Sequence, residues 1–219
     1  MNPRQLGPAA ALVGVLPGMQ TAGAWTGRRQ LAVRFAGEAE TAVMYSAAAL
    51  AEEVRRLAAR AAFHSITLTG RDALGNVECL QAALSLLAPT LPVMADTDGQ
   101  RPEAVRELAD HLSLVQVTTD GTAPASALGR IHQTLGAARD CGLDHALVLM
   151  PGEHTSDAQL LRIVEQVHAV SDRVAVVIHP DESQMGAALD SRWSEMLASA
   201  AELHGDVRLL RRLIQGTRG

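Results

Sequence analysis

The sequence predicts an α/β fold in which six parallel strands alternate with helices. Six short runs are rich in Val, Ile, Leu and Thr, as buried strands are, and stretches of helical length separate them. Crossovers of this length favour right-handed βαβ units and an all-parallel sheet. Two architectures satisfy this pattern, an open doubly wound sheet and a curved partial barrel. Both place the functional site at the carboxyl ends of the strands.

The predicted elements follow one another from residue 30 to residue 203. Ser46 is the expected N-cap of the first helix, because its hydroxyl can accept a backbone hydrogen bond. The strands are expected at residues 30–35, 66–69, 91–95, 113–118, 146–150 and 174–179. The helices are expected at about 47–61, 77–87, 102–110, 124–141, 158–170 and 185–203. Residues 207–214 fit a seventh short strand or a terminal helix.

Two segments are expected, with a boundary near residue 30. Residues 1–29 are rich in Gly, Pro and Ala, and only residues 11–16 resemble a strand. We therefore expect an irregular lead-in over residues 1–29, with residues 30–219 forming a single domain.

Composition excludes several classes of function. The formal charge of −5 argues against nucleic-acid binding. The chain contains no lysine, so it cannot form a Schiff base or a P-loop phosphate site. The apolar stretch at residues 8–17 is too short to span a membrane, and two distant cysteines, Cys79 and Cys141, suit a reducing compartment. We expect a cytoplasmic protein that binds neither nucleic acid nor membranes.

Polar residues follow each predicted strand and are the candidate site residues. Asp96, His154 and His179 are the candidates for acid–base catalysis, and the two histidines with either Asp96 or Glu153 could also hold a divalent metal. Turn formation is the simpler explanation for the aspartates Asp96, Asp98 and Asp120, because Asp before Gly favours tight turns. No serine-nucleophile elbow, Cys–His pair, Walker loop or dinucleotide turn is present.

Four segments of the chain carry a family resemblance, namely residues 69–74 (TGRDAL), 96–99 (DTDG), 150–155 and 206–210. Together they resemble the radical S-adenosylmethionine superfamily, in particular its glycyl-radical-enzyme activases and 7-carboxy-7-deazaguanine synthases. The first two resemble that family's Thr-Gly-Gly-Glu-Pro-Leu motif and its Glu-Thr-Asn-Gly or Asp-Thr-Asn-Gly turn, and the last two resemble the turn after its fifth strand and its closing strand. The resemblance implies a partial (β/α)6 barrel, similar to a TIM barrel, with Thr69, Gly70, Arg71 and Asp72 at the position that binds S-adenosylmethionine.

The sequence also departs from that family. The loop that should carry Cys-x-x-x-Cys-x-x-Cys is residues 37–44 (GEAETAVM), which contain no cysteine. A [4Fe–4S] cluster is therefore not expected, since thiolates hold such clusters. Arg71 and Asp72 replace the family's glycine and glutamate, which leaves S-adenosylmethionine binding an open question.

Two hypotheses follow from the sequence. The first is a cluster-less radical-SAM-like protein, a pseudoenzyme or accessory subunit that binds a partner, another copy of itself or a small ligand at the carboxyl edge. The second is a non-radical enzyme, dependent on S-adenosylmethionine, on a metal or on neither. It would act on a small polar or anionic substrate with Arg71, Asp72, Asp96, His154 and His179. An open pocket at that edge would favour the enzyme.

Overall fold

The fold is α/β, with nine strands in one mostly parallel sheet that does not close into a barrel among the described residues. The computed structural model describes residues 7–87, 91–180, 187–211 and 213. The strands are β1 (Ala9–Met19), β2 (Arg29–Phe35), β3 (Val43–Ser46), β4 (Ser65–Gly70), β5 (Val93–Thr97), β6 (Leu114–Thr119), β7 (Asp144–Leu149), β8 (Ala175–Ile178) and β9 (Val207–Leu209). The helices are α1 (Ala47–Ala58), α2 (Val77–Leu87), α3 (Pro102–Glu107), α4 (Ala125–Asp140), α5 (Asp157–Val170) and α6 (Ala187–Leu203).

Strand order separates the two architectures that the sequence left open. The order is β3-β1-β2-β4-β5-β6-β7-β8-β9, and every pair from β2 to β9 is parallel. A doubly wound sheet reverses direction at a switch point, whereas here each new strand is added on the same side. Right-handed crossovers that never reverse place all the helices on one face. The sheet is therefore the wall of a partial barrel, with an outer face toward the helices and an inner face.

The sheet is strongly curved. Gly23, in the connection between β1 and β2, donates its N–H to Nε2 of His179, which follows β8, at 2.8 Å. In a flat sheet β1 and β8 would be six strand spacings apart, roughly 29 Å. The four residues from Met19 to Gly23 span at most about 14 Å. Even with the reach of the imidazole, this bond requires the sheet to bend around the connection.

The helices bury the outer face. Residues of the parallel strands alternate in direction, so that Val93, Ala95 and Val115 pack toward the helices in one apolar cluster. A second cluster joins the outer residues of β6–β9 to α4, α5 and α6, and includes Leu135, Leu147, Leu149, Leu160, Val164, Val176, Trp193 and Met196. Met94, Leu114 and Ala146 point the other way and contact Ala24 and Trp25 of the connection.

The amino-terminal region differs from the predicted lead-in. Ala9–Met19 is an 11-residue strand antiparallel to β2, and the unpredicted β3 pairs with its first four residues. Gly14, Pro17 and Gly18 suggested an irregular segment, but Pro17 lies in the part of β1 that pairs only with β2. A missing N–H is tolerated there because the other side of the strand needs no partner. β1 thus belongs to the same sheet as the residues after 30.

The remaining elements follow the prediction with small changes. Ser46 caps α1, accepting the N–H of Ala49 at 3.2 Å. The helix predicted at 102–110 ends at Glu107 and is followed by a 3₁₀ turn, Ala109–His111. Val207–Leu209 is a seventh parallel strand, which resolves that choice. The start of the helix predicted at 185–203 lies outside the described residues.

Candidate functional site

A cluster of polar side chains surrounds Asp96 at the carboxyl end of the inner face. Asp96 lies on β5, the third of the seven parallel strands, and its side chain points inward because Ala95 beside it points outward. Oδ1 of Asp96 accepts hydrogen bonds from Nε2 of Gln116 at 3.2 Å and from Oγ1 of Thr118 at 3.0 Å. Thr69 donates to Oδ2 at the longer distance of 3.4 Å. Three neighbouring strands, β4, β5 and β6, therefore build this cluster.

Burial raises the pKa of the Asp96 carboxyl above its ordinary value of 3.8. Desolvation penalises the ionised form and is the largest effect, while the hydrogen bonds from Gln116, Thr118 and Thr69 oppose it by stabilising the carboxylate. The net upward direction means that the proton is held more tightly than on an exposed aspartate. Such a carboxyl is suited to acid–base chemistry, since perturbed pKa values are common at catalytic positions.

Asp96 faces a small open cavity of about 240 Å³. The cavity lies at the carboxyl ends of β4, β5 and β6, where parallel sheets bind their ligands. Its lining residues are Thr69, Gly70, Arg71, Asp72, Ala73, Asp96, Thr97, Asp98 and Thr118. A second, wider cavity of about 620 Å³ shares Arg71, Asp72 and Asp98 with the first, and adds Gln100, Arg101 and Arg130. The two cavities are therefore adjacent.

Three arginines line the wider cavity, and two of them are paired. Arg71 contacts the carboxylate of Glu38 at 3.0 Å, with both side chains largely exposed. Arg101 binds both carboxylate oxygens of Asp72, at 2.7 and 2.6 Å. Among the described residues no carboxylate lies within 4 Å of Arg130, whose Nη1 donates only to the carbonyl of Gln100 at 3.4 Å. Arg130 is the arginine most available to an anion.

The turn after β4 has a strained and specific shape. Gly70 has φ of +103°, and a Cβ there would lie 2.3 Å from the carbonyl oxygen of Phe35. Only glycine fits, because β2 passes this point at backbone contact. Asp72 is the one non-glycine residue with positive φ, at 46°, among those described. This geometry places Arg71 and Asp72 at the mouth of both cavities.

The two predicted histidines lie apart from this cavity. His154 is exposed in the turn after β7, and His179 is 2% exposed with its Nε2 accepting the N–H of Gly23. Neither lines the cavity that holds Asp96. The structure therefore brings together Asp96, Thr69, Gly70, Arg71 and Asp72. Catalytic roles for the histidines stay predictions.

No metal site is evident in the described part of the chain, where no group of three or more His, Cys, Asp or Glu side chains could hold an ion. The Asp98 and Asp120 carboxylates instead accept backbone N–H groups two residues later, at 3.1 and 2.8 Å. This is the turn-forming role that the sequence analysis considered the simpler explanation.

Sequence analysis missed three parts of the site, namely Gln116, Thr118 and the connection at residues 20–28. A signal was present, because Gln116 is the one amide in the apolar run of β6 and is 1% exposed. Buried polar residues in a strand need partners. Nothing in the sequence identified the connection as that partner.

Comparisons with known proteins leave the activity open. No protein-family model matches the chain, and no curated protein is significantly similar to it. The similar solved structures include a D-tagatose 3-epimerase-like protein, with 12% identity and a TM-score of 0.43, covering 72% of this chain and 70% of that one. Another is a putative deoxyribose-phosphate aldolase from Toxoplasma gondii ME49, with 15% identity and a TM-score of 0.43, covering 82% and 73%. Likenesses this distant transfer no activity. None of the described helices is long and apolar enough to cross a membrane.

Proposed function

We propose that the protein is a non-radical enzyme that moves a proton to or from a small anionic substrate, with Asp96 as the acid–base residue. The observation that carries this proposal is the inward-facing carboxyl of Asp96 at an open cavity, with a pKa raised by burial. A carboxyl whose pKa moves toward the operating pH exchanges protons more effectively than an ordinary one.

The hydrogen bonds indicate which oxygen reacts. Oδ1 accepts from both Gln116 and Thr118, whereas Oδ2 accepts only the 3.4 Å contact from Thr69. Oδ2 is therefore the oxygen that can carry the proton and release it to a substrate in the cavity. The two donors at Oδ1 hold the carboxylate plane and stabilise the ionised form after the proton has left.

Size and charge define the substrate class. A volume of about 240 Å³ is below the range of pockets that hold drug-sized ligands, so the reacting group is small. Arg130 and the neighbouring Arg71 and Arg101 suit a phosphate or carboxylate at the wider cavity, because guanidinium groups bind these anions in a bidentate way. The lysine-free sequence offers no side chain for a Schiff-base intermediate, so the proposed chemistry is proton transfer by Asp96 without such an intermediate.

Membership of the radical S-adenosylmethionine superfamily remains a proposal, as does binding of that cofactor at residues 69–72. Asp72 is the residue that would bind the cofactor's amino group. Arg101 already contacts both of its carboxylate oxygens, so a bound amino group would have to share them with this guanidinium. The proposed proton transfer is carried by Asp96 and needs no such cofactor.

The test is hydrogen–deuterium exchange in D₂O, followed by NMR, on a panel of small carboxylates and phosphate esters. The wild-type protein should exchange a carbon-bound hydrogen of at least one compound. Asp96→Asn should slow this exchange by about 10²- to 10⁴-fold. Asp120→Asn is the control, because Asp120 is an exposed aspartate in the turn that follows the neighbouring strand β6, outside both cavities. Equal rates in the wild type and Asp96→Asn would contradict the proposal.

A second candidate function is an accessory protein that binds a partner. The observation in its favour is the edge strand β3, where Val43 and Met44 are 55% and 66% exposed. Exposed apolar edges invite pairing with another chain. The simplest partner is a second copy of the chain. Analytical ultracentrifugation of the wild type and of Met44→Lys tests whether the chain self-associates through β3. A concentration-dependent dimer that Met44→Lys abolishes would support it, and a monomer in both would count against self-association.

A further inference from the structure

The connection between β1 and β2, residues 20–28, enters the inner face of the partial barrel and is held there by several contacts. Gly23 donates its N–H to His179, and Oγ1 of Thr26 donates to the carbonyl of Gly23 at 2.6 Å. The Trp25 ring contacts the His64 ring edge to face, with centroids 4.8 Å apart. Nε2 of Gln20 donates to the carbonyl of Ala22 at 2.6 Å. The connection is thus a fixed part of the interior.

Ala24, which follows Gly23, determines the orientation of the Gln116 side-chain amide. Its backbone N–H donates to Oε1 of Gln116 at 3.0 Å, while Nε2 of the same amide donates to Oδ1 of Asp96 at 3.2 Å. Rotating the amide by half a turn would point its NH₂ at the N–H of Ala24 and its oxygen at the carboxylate. Both contacts would then be repulsive, so the observed orientation is the only one that satisfies both neighbours.

Packing at Gly23 makes this arrangement tight. Gly23 has φ of +99°, and a Cβ there would lie 1.9 Å from Oε1 of Gln116. Any other residue would displace either the connection or the Gln116 amide. The position of residues 23–24 and the direction of the amide are therefore coupled.

We propose that Gln116 is a positioning residue whose amide is locked by residues 23–24, so that its NH₂ always faces Asp96 and holds that carboxyl ready for proton transfer. This inference rests on the proposed function, and it assigns the β1–β2 connection to the machinery of the site. Gln116 does not line the cavity and acts through Asp96. The other charged groups at the cavity are Arg71, Asp72 and Asp98, on the turns after β4 and β5.

The expected effect has a definite sign. A donor at Oδ1 favours the ionised form, so removing it raises the pKa of Asp96 further. A hydrogen bond to a charged group corresponds to a shift of roughly one pH unit. Loss of a purely structural contact would lower stability without moving this titration.

The first experiment follows the Asp96 carboxyl carbon by ¹³C NMR during a pH titration, in the wild type and in Gln116→Met. Methionine keeps the length of the side chain and removes both polar atoms. The pKa of Asp96 should rise by about one pH unit in Gln116→Met. An unchanged titration midpoint would overturn the proposal.

The second experiment uses two glycines of the same connection. Gly23→Ala and Gly27→Ala both place alanine at positive φ, +99° and +85°, so they share the backbone strain. At Gly27 the nearest atom to a Cβ is 3.9 Å away, whereas at Gly23 it is the Gln116 amide. Gly23→Ala should shift the Asp96 midpoint in the direction of Gln116→Met, and Gly27→Ala should leave it unchanged. Equal midpoints in the two alanine variants would contradict the coupling.

These measurements need no substrate, so they separate the two proposals. If the pKa of Asp96 rises as expected in Gln116→Met but no compound undergoes hydrogen exchange, the positioning role of Gln116 is supported and the proposed function is contradicted. If hydrogen exchange depends on Asp96 but the pKa of Asp96 is unchanged in Gln116→Met, the proposed function is supported and the positioning role of Gln116 is contradicted.

Discussion

The two faces of the parallel sheet are built on different physical principles. The outer face buries leucine, valine and isoleucine against the helices α1–α6, and Leu147 and Leu149 are fully buried there. The inner face packs Met94, Leu114 and Ala146 against the β1–β2 connection, but at its carboxyl end directional hydrogen bonds join Thr69, Asp96 and Gln116. Apolar packing tolerates exchange between residues of similar volume, whereas a buried hydrogen-bond network requires each partner. Stability therefore resides mainly in the outer face, and the proposed chemistry resides in the inner one.

The largest predicted effect on stability concerns the outer face. Leu147→Ala should lower the free energy of unfolding by about 2–5 kcal/mol, because it leaves a cavity in a packed core. Leu86→Ala is the control, since Leu86 is 49% exposed and should change stability by less than about 0.5 kcal/mol. Urea denaturation measures both. If Leu147→Ala changes the free energy of unfolding as little as Leu86→Ala does, the claim that stability resides mainly in the outer face is contradicted.

The inner face should make stability depend on pH through Asp96. Its pKa is raised in the folded state, so the folded protein binds more protons than the unfolded chain above about pH 3.8. The stability of the wild type relative to Asp96→Asn should therefore fall as pH rises from 3.8 through the folded-state pKa, and be constant below this window. Urea denaturation across pH tests this. A difference that grows in favour of the wild type would show that the carboxylate, rather than the acid, is favoured by folding.

Removing one donor from the inner face should have a smaller effect. Thr118→Val keeps the shape of the side chain and removes the hydroxyl that donates to Asp96 at 3.0 Å. We expect a loss of about 1 kcal/mol near neutral pH, where the carboxylate needs its donors most, and a smaller loss in acid. Thr122→Val is the control, since its hydroxyl bonds to Asp120 in an exposed turn. An equal loss of unfolding free energy in both variants would mean that the buried hydrogen bonds to Asp96 stabilise the fold no more than an exposed turn does.

The smallest effect on stability is expected at the arginine of the wider cavity. Arg130→Gln should change the free energy of unfolding by less than about 0.5 kcal/mol, yet weaken binding of inorganic phosphate by about tenfold. Arg162→Gln, an exposed arginine outside both cavities, is the matched control. Titration calorimetry measures the affinity. Equal phosphate affinities for the two variants would exclude Arg130 from anion binding.

The same contrast between the faces explains how far sequence analysis reached. The order of strands and helices follows from apolar periodicity, which the outer face imposes on every βα unit, and Asp96 was found because it follows the strand predicted at residues 91–95. β1 was largely missed because Gly14 and Pro17 are tolerated only in their particular pairing. The partners of Asp96 were missed because the register that pairs Asp96 with Gln116 is not encoded in local sequence, and the contact of Gln116 with Ala24 spans 92 residues.

The central claim is that the inner face holds a carboxyl poised for proton transfer, and the titration of Asp96 in the wild-type protein tests it most directly. Selective ¹³C labelling of aspartate, with Asp96→Asn to assign the resonance, gives the midpoint without any knowledge of the substrate. The structure predicts a midpoint above the ordinary value of 3.8, because burial outweighs three hydrogen bonds. A midpoint at or below 3.8 would mean that the carboxylate is simply well solvated and bonded, and would contradict an acid–base role for Asp96.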